Sequence, residues 1–409
     1  MHHLAPEILL GLAVVLVIAK AMGDLFERIR QPSVLGELLA GVLLGNLDLL
    51  GWHWFDTLFA QPAFVGLAQI GVILLLFQVG LESDMLQMLR TGLTATAVAA
   101  IGVVVPVAMG FGVHALVVQG ATWHVHLFVG AVLAATSVGI TARVLRDMGK
   151  LDSPTARVIL GAAVIDDVMG LVVLAIVVGI VQAADTGTTL STWEVARIAV
   201  FAVGFLFAAA VLGRPVSLAL FRVVSYLQIR GVLLAAALAF CFAVAFLAAL
   251  VGLHPIVGAF AAGLVLDEVS YRGLADREEH GLEVQLHPIA SFLVPIFFVQ
   301  TGALVDLGAV SPSMLLLAGG LTLVAILGKQ ACALAAFGQG VDRLSVGIGM
   351  IPRGEVGLIF ATVGTGTTLA GLPVVSHESY AASIIMVMVT TLVTPPLLAW
   401  SLDRKASRA

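Results

Sequence analysis

The chain has 409 residues, 60% of them hydrophobic and 11% charged, with a formal net charge of −5. Its mean hydropathy is +1.10. A water-soluble domain of this length needs far more charge to cover its surface, so the composition places the chain in a membrane, with lipid as its surroundings and no nucleic-acid partner.

A transmembrane β-barrel would show short segments of alternating polarity, whereas these are continuous apolar runs of helical length, which predicts an all-α polytopic fold. The two cysteines, Cys241 and Cys332, lie inside apolar stretches, with no disulfide or zinc spacing. The start, Met1-His2-His3-Leu4, lacks a basic leader and cleavage site, so the first apolar run is expected to be a retained helix.

In chain order, about thirteen apolar segments approach the length of a bilayer crossing. They are expected over 7–27, 33–47, 61–80, 91–117, 125–147, 155–184, 193–213, 229–251, 254–268, 286–302, 312–336, 344–369 and 376–402. Two of them, 33–47 and 254–268, are short and need tilt or local thinning to cross. Basic residues alternate over the connections. Lys20, Arg28 and Arg30 mark the end of the first segment, and Arg90 follows the third. Arg143, Arg146, Lys150 and Arg157 surround the break after the fifth, and Arg214, Arg222 and Arg230 follow the seventh. Arg272, Arg277, Arg343, Arg404, Lys405 and Arg408 complete that side, while 48–60, 118–124 and 185–192 carry no Lys or Arg. The positive-inside rule then predicts the N-terminus outside and the C-terminus in the cytoplasm.

An internal repeat runs through this pattern. Pro32-Ser33-Val34-Leu35-Gly36 leading to Ala40-Gly41 is echoed by Pro255-Ile256-Val257-Gly258 leading to Ala262-Gly263. Gln78-Val79-Gly80 is echoed by Gln300-Thr301-Gly302. Both offsets are about 220 residues, or about seven segments, and an odd offset turns the second copy upside down. The whole of 1–409 is expected to form one integral membrane transporter unit without a soluble regulatory domain, any regulator being a separate protein.

Ionisable side chains inside membrane segments are costly and are functional candidates. Asp166 and Asp167 lie near the middle of segment six, Lys329 within segment eleven, and Arg353 and Glu355 near the start of segment twelve. Adjacent helical residues point about 100° apart, so one aspartate can face a water-filled cavity while the other faces a neighbouring helix, with Lys329 as counter-ion. A carboxylate that binds sodium also binds a proton at lower pH. A site that holds one or the other, and faces each side in turn, is an exchanger. Hard cations suit oxygen ligands. Thr136-Ser137-Val138-Gly139-Ile140-Thr141 in segment five can supply hydroxyls and, by unwinding at Gly139, carbonyls. Pro352-Arg353-Gly354-Glu355 in segment twelve is equally unfit for an unbroken helix, and Arg353 and Glu355 are expected to pair across that break. Glu37 reads as interfacial, Glu82, Asp84 and Asp306 as solvated segment ends, and His114, His124, His126, His254 and His287 as interfacial. No catalytic constellation or phosphate loop suggests an enzyme, and no cofactor is expected.

These motifs resemble those of the NapA-type bacterial sodium/proton antiporters of the monovalent cation:proton antiporter-2 family. The resemblance is carried by Ala135 to Leu145, Gly161 to Asp167, Ala325 to Lys329 and Pro352 to Leu358, and it runs the length of the chain. It implies thirteen helices, two of them broken and crossing, and an elevator-like core domain of segments four to six and eleven to thirteen. It also implies a dimerisation domain of segments one to three and eight to ten, a homodimer, and a bacterial inner membrane. Asp167 would bind Na⁺ or Li⁺ in exchange for H⁺, and Asp166 would pair with Lys329. The expected function is electrogenic sodium (or lithium)/proton antiport. Potassium/proton antiport, a channel and an organic-anion symporter remain as alternatives.

Overall fold

The computed structural model describes residues 6–29, 31–82, 92–185, 192–227, 229, 231–266, 281–308 and 310–406. The basic residues Arg30, Arg90, Arg230, Arg272, Arg277 and Arg408 of the expected cytoplasmic side, and Asp84, expected as a solvated segment end, lie outside the described residues.

The chain is built almost wholly of helices: α1 (Pro6–Arg28), α2 (Ser33–Gly45), α3 (Trp54–Phe59), α4 (Pro62–Glu82), α5 (Gly92–Val117), α6 (Trp123–Val132) and α7 (Val138–Asp147) in the first part. There follow α8 (Pro154–Asp185), α9 (Thr192–Val224), α10 (Val232–Leu250), α11 (Pro255–Val265) and α12 (Leu282–Ala303). The last part holds α13 (Pro312–Gln330), α14 (Cys332–Ala335), α15 (Arg343–Gly349), α16 (Glu355–Gly366) and α17 (His377–Ala406). Between α16 and α17 a small hairpin pairs β1 (Thr368–Leu369) with β2 (Leu372–Pro373). Among the described residues, nine helices are long and apolar enough to cross a membrane, and α2, α6, α11 and α16 are shorter apolar helices. Every expected segment corresponds to a helix or to a helix broken in the middle.

Two boundaries differ from expectation. Segment seven is expected over 193–213, but α9 continues through Arg214 and Pro215 to Val224. A charge marks where a helix meets water and does not end it, and apolar residues continue beyond it. Segment twelve is expected to reach 369, but α16 stops at Gly366, and Ala370 and Gly371 turn the hairpin with φ of 52° and 79°. Asp185 at the end of α8 accepts the Ala370 amide at 2.6 Å and fastens that turn.

The helices form two compact units interleaved along the chain. One comprises Met1–Phe26, Gly36–Met85 and Ser191–Ala303; the other comprises Glu27–Leu35, Leu86–Leu190 and Leu304–Ala409.

In the first unit the repeat explains the packing. Gly41 on α2 lies against the backbone carbonyl of Val299 on α12, and Gly302 on α12 lies against that of Leu38 on α2. The repeat mates do the same: Gly263 on α11 meets the Phe77 carbonyl on α4, and Gly80 on α4 meets that of Phe260 on α11. In lipid no hydrophobic force drives helices together, so close backbone approach at small residues supplies the attraction. Glu37, expected at the interface, is instead only 5% exposed and ion-paired with Lys20 at 3.4 Å. The long lysine side chain reaches down from α1 to meet it.

The second unit has a core of small residues. Ala95, Val98 and Ala99 of α5 pack with Ile159, Ala162 and Ala163 of α8, and with Cys332, Ala335, Val346 and Met350. A second cluster joins Leu145, Ala156, Ile348, Ile351, Leu398 and Leu402. Such small side chains let four helices meet around the residues described next.

Candidate ion-binding site

Two helices of the second unit are interrupted, and sequence explains both breaks. The first runs through 133–137 between α6 and α7, where Thr136 and Ser137 offer side-chain alternatives to helical hydrogen bonding. The second runs through 350–354 between α15 and α16, where Pro352 lacks an amide hydrogen and Gly354 adopts a backbone conformation with φ −133° and ψ −141°. A break inside a membrane leaves helix-end groups without partners and without water, so other groups must satisfy them.

The two breaks satisfy each other. Thr141 Oγ1 donates to the Gly349 carbonyl at 2.7 Å, and Thr136 Oγ1 to that of Met350 at 3.5 Å. The Ser137 amide donates to the Pro352 carbonyl at 2.8 Å. Ser137 Oγ donates to Glu355 Oε2 at 3.4 Å, placing that carboxylate at the positive end of α16. Gly354 is required at the crossing, because a Cβ there would sit 2.6 Å from the Ser137 side chain. Gly139 lies in the first turn of α7.

Two buried cations cap the negative end of α6. Lys329 Nζ donates to the Ala134 carbonyl at 3.0 Å, and Arg353 Nη1 to the Ala135 carbonyl at 2.9 Å. Lys329 also forms an ion pair with Asp166 Oδ1 at 2.9 Å, both side chains being wholly buried. Lys329 therefore ties α8, α13 and the first break together through one ammonium group. Asp167, the next residue, has a buried Oδ1 with no hydrogen-bond partner, as do Asp166 Oδ2 and Arg353 Nε and Nη2. Arg353 and Glu355 do not pair, contrary to expectation: Arg353 turns to the first break, and Glu355 to Ser137. Residues two apart across a helix start do not face each other.

A cavity of about 230 Å³ opens beside the crossing, lined by Ser137, Arg353, Glu355 and Thr391 and by the Pro32–Leu35 segment. Asp167 does not line it.

Sequence reasoning passed over three residues of this site. Thr391 on α17 is buried and its hydroxyl donates to the Arg353 carbonyl, satisfying one more group of the second break. Cys332 lies one helical turn beyond Lys329 and donates to the Val98 carbonyl at 3.4 Å. Gly102 on α5 faces the ion pair: a Cβ there would lie 3.0 Å from Cys332 Sγ, 3.2 Å from Lys329 Nζ and 3.5 Å from Asp166 Oδ1. Gly328 packs against Pro106 in the same contact and draws α13 onto α5. The Gly102→Ala variant is expected to unfold at lower temperature, by about 1–3 kcal/mol of overpacking. Adding Cys332→Ala to it should recover part of that loss, and equal stability of the single variant and wild type would contradict the contact.

Two expectations about histidines also change. His114 and His126 are buried, at 0% and 8% exposure, and bonded to each other. His287 is exposed, and His254 caps the start of α11 by accepting the Ile256 amide.

The family model described as sodium/hydrogen exchanger, transmembrane, matches residues 12–403. The high-affinity Na⁺/H⁺ antiporter NhaS3 of Synechocystis sp. is 36% identical, over 97% of this chain and 91% of that protein. The Na⁺/H⁺-K⁺ antiporter GerN of Bacillus cereus is 34% identical, over 98% and 97%. Among solved structures, the sodium proton antiporter MjNhaP1 of Methanocaldococcus jannaschii superposes with a TM-score of 0.68 at 17% identity, covering 96% of both chains, a likeness of fold. With a family match along nearly its whole length and relatives of this identity, the chain belongs to the sodium/hydrogen exchanger family.

Proposed function

We propose that the chain exchanges sodium or lithium ions for protons across the membrane at Asp167. The observation that carries this reading is the contrast between two adjacent carboxylates. Asp166 has a cationic partner at 2.9 Å, whereas Asp167 keeps a buried oxygen with none. An unpartnered carboxylate in a low-dielectric site must take a cation or a proton, and it cannot hold both at once.

Charge counting supports a one-ion site. Asp166, Asp167 and Glu355 oppose Lys329 and Arg353, so the cluster in its ionised form lacks one positive charge. One sodium ion or one proton completes it. If Lys329 also releases its proton when sodium binds, two protons exchange for one sodium and a net charge moves. Such a cycle couples to the membrane potential at about 2.3 kcal/mol per 100 mV. The second unit would move as the ion carrier, elevator fashion, and the first would be the scaffold and dimer interface. By analogy with bacterial relatives the protein would lie in the inner membrane, C-terminus in the cytoplasm, and need no cofactor. Potassium is a second reading, favoured by the likeness to GerN.

Liposomes carrying the purified protein and an acidic interior test this reading. External Na⁺ or Li⁺ should collapse the proton gradient, and K⁺ should not. Collapse by K⁺ alone would select the second reading, and no response to any of the three would reject antiport. Electrogenic exchange further predicts that an inside-negative or inside-positive potential changes the rate; indifference to both would mean equal charge exchange.

A further inference from the structure

We propose that His114 and His126 form a proton-binding dyad, a second proton site apart from the double aspartate, reached from the exposed Ser376 through Ser379. The two rings belong to α5 and α6, and their Nδ1 atoms lie 2.7 Å apart. A contact this short between two ring nitrogens is a hydrogen bond, and it needs one Nδ1 with a hydrogen and one without. Two cationic rings would set N–H against N–H.

The other end of His114 fixes the direction. His114 Nε2 lies 3.0 Å from Ser379 Oγ, and Ser376 Oγ donates to Ser379 Oγ at 3.1 Å. The chain therefore runs from Ser376 to Ser379, from Ser379 to His114 Nε2, and from His114 Nδ1–H to His126 Nδ1, with both rings neutral. Ser376 is exposed, and Ser379 and His114 are buried. A proton arriving at Ser376 passes inward by reversal of the two hydroxyls and comes to rest on His114 Nε2. His114 then donates to Ser379, and the Nδ1–Nδ1 bond survives. One proton fits in this way; a second breaks the bond. Phe111 packs edge-on to the His126 ring at 5.7 Å.

The dyad holds together the ends of three helices: α5, α6 and the first turn of α17. Other ionisable groups at these ends are His124 beside the dyad on α6, stacked on Trp123, and His377, Glu378 and Tyr380 on α17. Asp185 ends α8 and is engaged by the hairpin, Glu378 accepts from Ser311, and the Tyr380 hydroxyl meets Thr362. The facing ends of α13 and α16 carry no charged side chain. Among the described residues none of these groups supplies a carboxylate to the rings, so a second proton meets no counter-ion there.

The test is thermal unfolding of the full-length purified protein from about pH 7.5 down to about pH 3.5, a span that reaches well below the range of an exposed imidazole because the rings are buried. It does not depend on transport, so its result stands apart from that of the exchange assay. Wild type should lose stability on acidification as the second proton breaks the bond. His126→Gln, which has no such bond to lose, should show a drop smaller by about 2–4 °C. The same drop in both would overturn the dyad. Ser379→Ala removes the relay and a partner of His114 Nε2, and should move the pH of the transition; a transition at the wild-type pH would equally overturn the proposal.

Discussion

Asp167→Asn should abolish cation–proton exchange, lowering the rate at least about a hundredfold, with unfolding temperature unchanged or raised. Asparagine keeps the shape of the side chain and removes its charge. Because Asp167 Oδ1 accepts no hydrogen bond, no partner is stranded by the change. The variant also relieves the cost of an unpaired buried carboxylate, which is why stability should not fall. Gradient collapse in liposomes reads the first effect and thermal unfolding the second. Full-rate exchange by a folded Asp167→Asn protein would remove Asp167 from the centre of the mechanism.

Lys329→Ala should have the opposite balance, with a large loss of stability. It strands the wholly buried Asp166 and leaves the Ala134 carbonyl without its donor. Breaking one side of a buried ion pair costs about 3–5 kcal/mol. Neutralising the survivor, in Asp166→Asn with Lys329→Ala, should restore much of the lost stability, because the uncompensated charge is gone. Thermal unfolding of both proteins checks this. If the double variant is no more stable than Lys329→Ala, the carbonyl contact, and not the ion pair, is the main support.

Much of the site was readable before the structure because membrane segments tolerate so few charges. Asp166, Asp167 and Lys329 stand out against apolar neighbours, and Pro352 with Gly354 announces a broken helix. The partners of these groups were not readable. That Lys329 and Arg353 each satisfy a carbonyl of the first break depends on segments 195 and 218 residues further along the chain crossing it. Gly102 looks like any packing glycine until α13 is placed against it. Arg353 and Glu355 look like a pair in sequence, yet one precedes the α16 start and the other begins it, and their directions diverge. Taken singly, each histidine reads as a polar group seeking water. His114 and His126 instead satisfy one another, which only the packing of α5 against α6 can reveal.

The central claim is that one carboxylate site holds either a sodium ion or a proton. The apparent Na⁺ affinity of the purified protein, measured across a series of pH values, tests it most directly. Competition for one site predicts that affinity weakens by at least about tenfold per pH unit on the acid side, with at least one proton released for each ion bound, and that Asp167→Asn removes the binding. A sodium affinity that stays constant with pH, with no proton release, would contradict it.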